Sequence, residues 1–211
     1  GRYRGIDKQF HQLEDKNDKQ FTVFSLWDTF RATHPLFTLT QEEKTNQFIR
    51  TFLRMDDQQK DLPVWELAGN ETECMIGYHS VSVMADAYLK DYSDFSSGEM
   101  YSASLRTDKR FDFAKEFSYY EGYISLDKEP ESVSKLLEYA YDEFCIDQMT
   151  KKMYSSAYAA MVDKQLAPST RPYNFINHFD PKTKFFRARR GAMWMNDFKP
   201  DEVNFNYTEA N

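Results

Sequence analysis

The sequence predicts a mainly α fold of antiparallel helical hairpins, and three observations carry that expectation. Apolar residues recur at helical spacing in several long segments. No segment sustains the alternation of a half-buried strand. Glycine is scarce, at 7 of 211 residues, about half its usual share, which disfavours a fold made of many tight turns.

The elements follow in order. Thr40 with Glu43 has the form of a capping box. Behind it Phe48, Ile49, Phe52 and Leu53 make one apolar stripe, so a helix is expected over 41–55, closed by Asp56, Asp57 and Pro63. A second helix is expected from Thr72 to Leu89, with Met75, Ile76, Val83, Met84 and Ala87 turned inward. Tyr101 to Arg106 reads as a short helical turn, and 107–130 as a charged, irregular stretch ending at Pro130. The clearest pattern runs from Glu131 to Met153, where Val133, Leu136, Leu137, Ala140, Phe144 and Met149 form a core-facing stripe. The acids Glu131, Glu138, Asp142, Glu143 and Asp147 lie mostly on the other side, where a solvated face is expected. A weaker helix is expected over 155–166, and loops from Ser169 onward.

Composition narrows the function classes. Lys plus Arg is 27 and Asp plus Glu is 34, a net charge of −7. Such a balance argues against nucleic acid, which is held by neutralising phosphates, and against anionic membranes. No apolar run reaches the length of a membrane span, and residue 1 begins no signal peptide. The length suits one core. Cys74 and Cys145 each have apolar neighbours at helical spacing and are expected as buried free thiols, with a disulfide left open. No CxxC, HExxH, EF-hand or Gly-rich phosphate loop is present, so no local metal or nucleotide motif is read.

The chemistry concentrates in Phe24–Leu36, which holds Trp27, Asp28, Arg31 and His34 between apolar anchors. An indole face covers sugar C–H bonds, and a carboxylate accepts from neighbouring hydroxyls. The plain alternative is a helix start with a buried Trp27 and an Asp28–Arg31 pair at i, i+3. Glu209, in Tyr207-Thr208-Glu209-Ala210-Asn211, is a candidate acid that neighbouring aromatics could keep protonated, or a solvated loop residue. Asn70 suits an N-cap and Glu71 a first helical turn, and both could line a cleft beyond the helix end.

These blocks combine into a resemblance. Phe24–Leu36 resembles the signature of the glycoside hydrolase family 92 α-mannosidases. Tyr3-Arg4-Gly5 with Asp7 resembles the approach to it. Leu62–Thr72 and Met75–Val81 are similar to the family's second block. Ser132–Lys135, Leu137–Asp142 and Tyr207-Thr208-Glu209 are similar to three more. Order and spacing hold across essentially all 211 residues.

The resemblance implies a calcium-dependent, inverting exo-α-mannosidase acting on mannose-containing glycans, with an (α/α)6 barrel catalytic domain. It implies Glu209 as general acid, in a Tyr-Thr-Glu-Gly-Asn motif where this chain has Ala210 in place of glycine. It implies that Asp28 binds the mannose with Trp27 nearby, oriented by Arg31 and His34, and that Glu66, Asn70, Glu71 and His79 line the site. The general base and most calcium ligands belong, in the family, to segments beyond the Tyr-Thr-Glu motif. Residues 1–211 are therefore expected to be a single segment, the N-terminal half of the barrel, without the preceding β-sandwich domain or the following half. No metal ligands are assigned within it. Export to the bacterial periplasm or cell surface is implied. A non-catalytic mannose-binding or purely structural helical module is the alternative.

Overall fold

The computed structural model describes residues 1–158 and 169–210, about half of them helical. Strands β1 (Arg2–Arg4) and β2 (Phe10–Gln12) pair antiparallel, Tyr3 opposite His11. Strand β3 (Phe24–Ser25) pairs with β4 (Trp65–Glu66). Between them run α1 (Leu26–Thr29), α2 (Thr33–Thr40) and α3 (Glu42–Gln59). Helices α4 (Ser80–Leu89), α5 (Ser97–Asp108), α6 (Lys115–Glu121) and α7 (Ser132–Met153) follow. A 3-10 helix (Arg171–His178) leads into two small antiparallel hairpins, β5–β6 (Phe179–Asp180, Phe185–Phe186) and β7–β8 (Arg189–Arg190, Met193–Trp194). No described helix is long and apolar enough to cross a membrane.

Helix α4 lies at the centre because its sequence is apolar nearly all round, and such a helix must be covered on every side. Val81, Val83, Met84, Ala85 and Ala87 are all buried. Helices α2, α3, α5 and α7 pack against it. Helix α3 contributes Ile49, Phe52 and Met55, and α7 contributes Val133, Leu136, Ala140 and Met149. The two serines that α4 buries are satisfied: Ser80 donates to the Pro63 carbonyl at 2.7 Å, and Ser82 bonds the Tyr141 hydroxyl at 3.0 Å. Arg171 ties the 3-10 helix to the core, donating to Asp108 at 2.9 Å and to Glu143 at 3.1 Å.

Several sequence expectations are corrected. Thr40 does not cap α3: its hydroxyl turns back to the Leu36 carbonyl at 3.0 Å, and Glu43 pairs with Gln47. The side-chain cap forms instead at α5, where Ser96 accepts from the Glu99 N–H. The helix expected from Thr72 begins only at Ser80, because Glu73, Met75 and Gly77 take positive φ and break the helical path. The expected turn at Tyr101–Arg106 belongs to the longer α5, and the stretch 107–130 contains α6. On α7, Asp142 and Glu143 are buried while Phe144 is 46 % exposed, the reverse of the expected faces. Cys74 is exposed, Cys145 is buried, and both are free thiols. From residue 159 on, the helix expected over 155–166 lies outside the described residues.

Phe52 is fully buried and meets Phe24 edge-on at 4.8 Å. Phe52→Ala is expected to cost about 3–5 kcal/mol in urea unfolding, through lost transfer energy and a residual cavity. A cost below about 0.5 kcal/mol, typical of surface sites, would contradict the packing.

Candidate functional site

Ser134, Glu138 and Asp142 stand four residues apart on α7, hence on one face. Each holds a different segment of the chain. Asp142 is fully buried; its carboxylate accepts the Tyr78 N–H at 2.7 Å and the His79 Nδ1–H at 2.8 Å, pinning the start of α4. One turn earlier, Glu138 Oε1 accepts from Trp27 Nε1 at 3.1 Å and from Arg31 at 3.3 Å, fixing the loop around α1. Ser134 Oγ accepts the Thr208 N–H at 3.0 Å. The carbonyls of Phe205 and Asn206 accept the N–H groups of Glu131 and Val133, which a helix start leaves without intrahelical partners. The segment bearing Glu209 is thereby seated on the N-terminus of α7.

His79 joins two of these anchors. Its Nε2 lies 3.3 Å from Glu138 Oε2, an ion-pair distance that is not aligned as a hydrogen bond. Its ring stacks on Phe30 at 3.9 Å. Burial pushes the imidazole pKa down, but Asp142 and Glu138 outweigh that and raise it to about 9. Burial pushes the Glu138 carboxyl up, yet His79, Trp27 and Arg31 together bring it below its ordinary value. Gly77, at φ +79°, leaves room for the ring: a Cβ there would collide with His79 Nε2. His34, by contrast, faces Phe48 and Phe52 edge-on rather than Asp28, and burial lowers its pKa to about 4.

Two adjoining clefts result. Trp27, Asp28, Arg31 and Glu138 line one of about 460 Å³, together with Ile76 and Thr208. Glu209 lines the other, about 370 Å³, beside Arg110, Lys115 and Lys135, and Ile76 and Thr208 form part of this wall too. Trp27 and Asp28 thus line one cleft and Glu209 the adjoining one, brought there from opposite ends of the chain. Asp28 is exposed and accepts from Ser25; Arg31 turns to Glu138. Glu209 is exposed at φ +50°, a left-handed conformation that few non-glycine residues adopt.

The other sequence candidates sit elsewhere. Glu66 is fully buried and accepts from the Thr22 hydroxyl and the N–H groups of Val23 and Gly69. Glu71 accepts the N–H groups of Val64, Trp65 and Glu73, folding its loop back on β4. Asn70 caps no helix; it lies in a turn with Leu67 and accepts from Lys8. His79 is one layer behind Glu138. Sequence reasoning missed Ser134, Glu138 and Asp142 as site residues, although their spacing of four was a visible signal. Among the described residues, no three His, Cys, Asp or Glu side chains converge so as to hold a metal ion.

Comparison with known proteins adds an independent finding. Residues 1–211 match the model of the glycosyl hydrolase family 92 catalytic domain. A family GH92 α-mannosidase from Bacteroides thetaiotaomicron superposes on all of this chain with TM-score 0.89 and 38 % identity. The same enzyme in complex with mannoimidazole matches 95 % of the chain, with TM-score 0.85 and 39 % identity. A family GH92 inverting mannosidase from Bacteroides thetaiotaomicron VPI-5482 matches 99 %, with TM-score 0.85 and 25 % identity. This chain spans 28 %, 26 % and 28 % of those three chains, respectively. No curated protein matches it by sequence.

The His79 cluster has a pH signature. Because its folded pKa is raised from 6.5 to about 9, the stability it contributes is complete below pH 6.5 and is lost as pH rises through 9. The size is roughly 3 kcal/mol. Buried Glu143, its carboxyl pushed up from 4.5 to about 8, lowers stability as pH rises between those values and so steepens the first part of this fall. Melting temperature is expected to fall between pH 6.5 and 9, less steeply in His79→Gln. A level profile would contradict the buried ion pair.

Proposed function

The chain belongs to glycosyl hydrolase family 92, and from that premise we propose that the whole protein is an exo-α-mannosidase that hydrolyses terminal α-mannosides of glycans. The observation that carries this is the meeting of Trp27 and Asp28 with Glu209 on adjoining clefts that share Ile76 and Thr208. Trp27 offers an apolar face and Asp28 a solvent-facing carboxylate with acceptor capacity for sugar hydroxyls. Glu209 is assigned the role of general acid, giving its proton to the glycosidic oxygen as the bond to the anomeric carbon breaks. In the inverting reaction proposed, a second carboxylate activates water on the opposite face of the sugar. The likeness to an inverting mannosidase supports that stereochemistry. Glu66, Asn70 and Glu71 are assigned to shaping the loop behind the cleft, and His79 to supporting Glu138.

The proposal extends to the whole protein in three respects. Residues 1–211 are the N-terminal half of an (α/α)6 barrel. Calcium takes part in the reaction; no group of three His, Cys, Asp or Glu side chains able to hold a metal ion is found among the described residues, and its ligands are assigned to other parts of the protein. The enzyme works in the periplasm or at the cell surface.

Proton NMR of α-1,2-mannobiose with the whole protein tests the reading. The first product is expected to be β-mannose, formed with calcium and not in excess chelator. Glu209→Gln is expected to lower kcat by about 10²–10⁴-fold. Release of α-mannose first, or full activity of Glu209→Gln, would overturn it.

A further inference from the structure

We propose that Glu138 is the positioning residue of the sugar cleft, holding the Trp27 indole and the Arg31 guanidinium in place to meet the bound mannose; this rests on the mannosidase reading. Glu138 occupies a cleft wall, its side chain 17 % exposed, beside Trp27 and Asp28. One of its oxygens takes donors from two residues of a single loop, Trp27 at 3.1 Å and Arg31 at 3.3 Å. An indole lying on a sugar must present its face, and two torsions set that face. A hydrogen bond from Nε1 to a charged acceptor removes most of that freedom. Arg31 adds a second constraint, because its guanidinium also lies over the Phe30 ring at 4.5 Å.

Glu138 can serve as a fixed point because its own position is fixed from behind. Its second oxygen faces His79, which Asp142 holds from the other side. Phe30 completes the arrangement: one ring stacks on His79 and carries Arg31. The carboxylate is thereby clamped between a buried cation and two donors of the sugar-binding loop. Groups that act on a substrate keep their geometry only when the residues behind them are locked in turn. A purely structural role, in which Glu138 merely balances His79, would change stability and leave sugar binding alone.

Calorimetric titration of the whole protein with mannoimidazole separates these roles. Glu138→Gln keeps size and shape but loses the charge, and is expected to weaken binding about tenfold or more. Trp27→Phe, which removes the Nε1 donor, is expected to do the same. Because the two residues act as one unit, the double substitution should bind scarcely more weakly than either single one. The Trp27 indole N–H resonance, identified by its loss in Trp27→Phe, should move upfield in Glu138→Gln as its acceptor loses charge. Should Glu138→Gln fail to fold, Glu138→Asp, which withdraws the charge by one methylene, must show the same weakening. If the unsubstituted protein does not bind mannoimidazole, the mannosidase reading falls and this proposal with it. If it binds and Glu138→Gln binds equally, or if the two substitutions add, only this proposal is overturned.

Discussion

The buried carboxylate of Asp142 is the constraint on which the cleft depends. A fully buried charge is costly unless it is paired and hydrogen-bonded. Asp142 meets that demand with the Tyr78 N–H and the His79 ring, and in doing so sets where α4 begins. The start of α4 lies far from α7 in sequence, so this contact decides how the two most heavily packed helices register. Removing either partner from such a buried pair typically costs about 3–5 kcal/mol, because the other charge is left uncompensated. Gly77 is part of the same constraint, since any side chain there would meet the imidazole.

From that anchor α7 works as a ruler. Its steps of four residues are about 6 Å each, and successive positions hold the start of α4, the Trp27 loop and the Thr208 segment. Loops alone would place these groups loosely. Tied to one rigid helix, they keep fixed spacing, which suits the proposed site, where an acid and a sugar-binding surface would serve the same bond. The exposed groups, Asp28 and Glu209, lie at the ends of these ties, and the buried ones behind them supply order.

The sequence was most legible where an amphipathic stripe is long. Phe48, Ile49 and Phe52 announced α3, and Val133, Leu136 and Met149 announced α7, because 3.6-residue periodicity persists there over several turns. It misled where local patterns had competitors. Thr40 and Glu43 have the spacing of a capping box, but each found a nearer partner within its own helix. Met75 and Ile76 continue the apolar spacing of α4, yet positive φ at Glu73, Met75 and Gly77 bends that stretch into a cleft wall. Cys74 lies on the same stretch and is exposed.

By itself, the sequence determined the helical character of the chain, the chemistry of its reactive residues and the ordered blocks that mark its family. These follow from residue type and short-range spacing, which a linear chain displays directly. Only the tertiary structure decided that Asp142 and Glu143 face inward, that Glu138 grips Trp27, and that Glu209 arrives beside the same cleft. Periodicity tells which residues share a face of a helix, not what covers that face. A row of acids reads as solvated until a distant histidine, arginine or indole is seen packed against it.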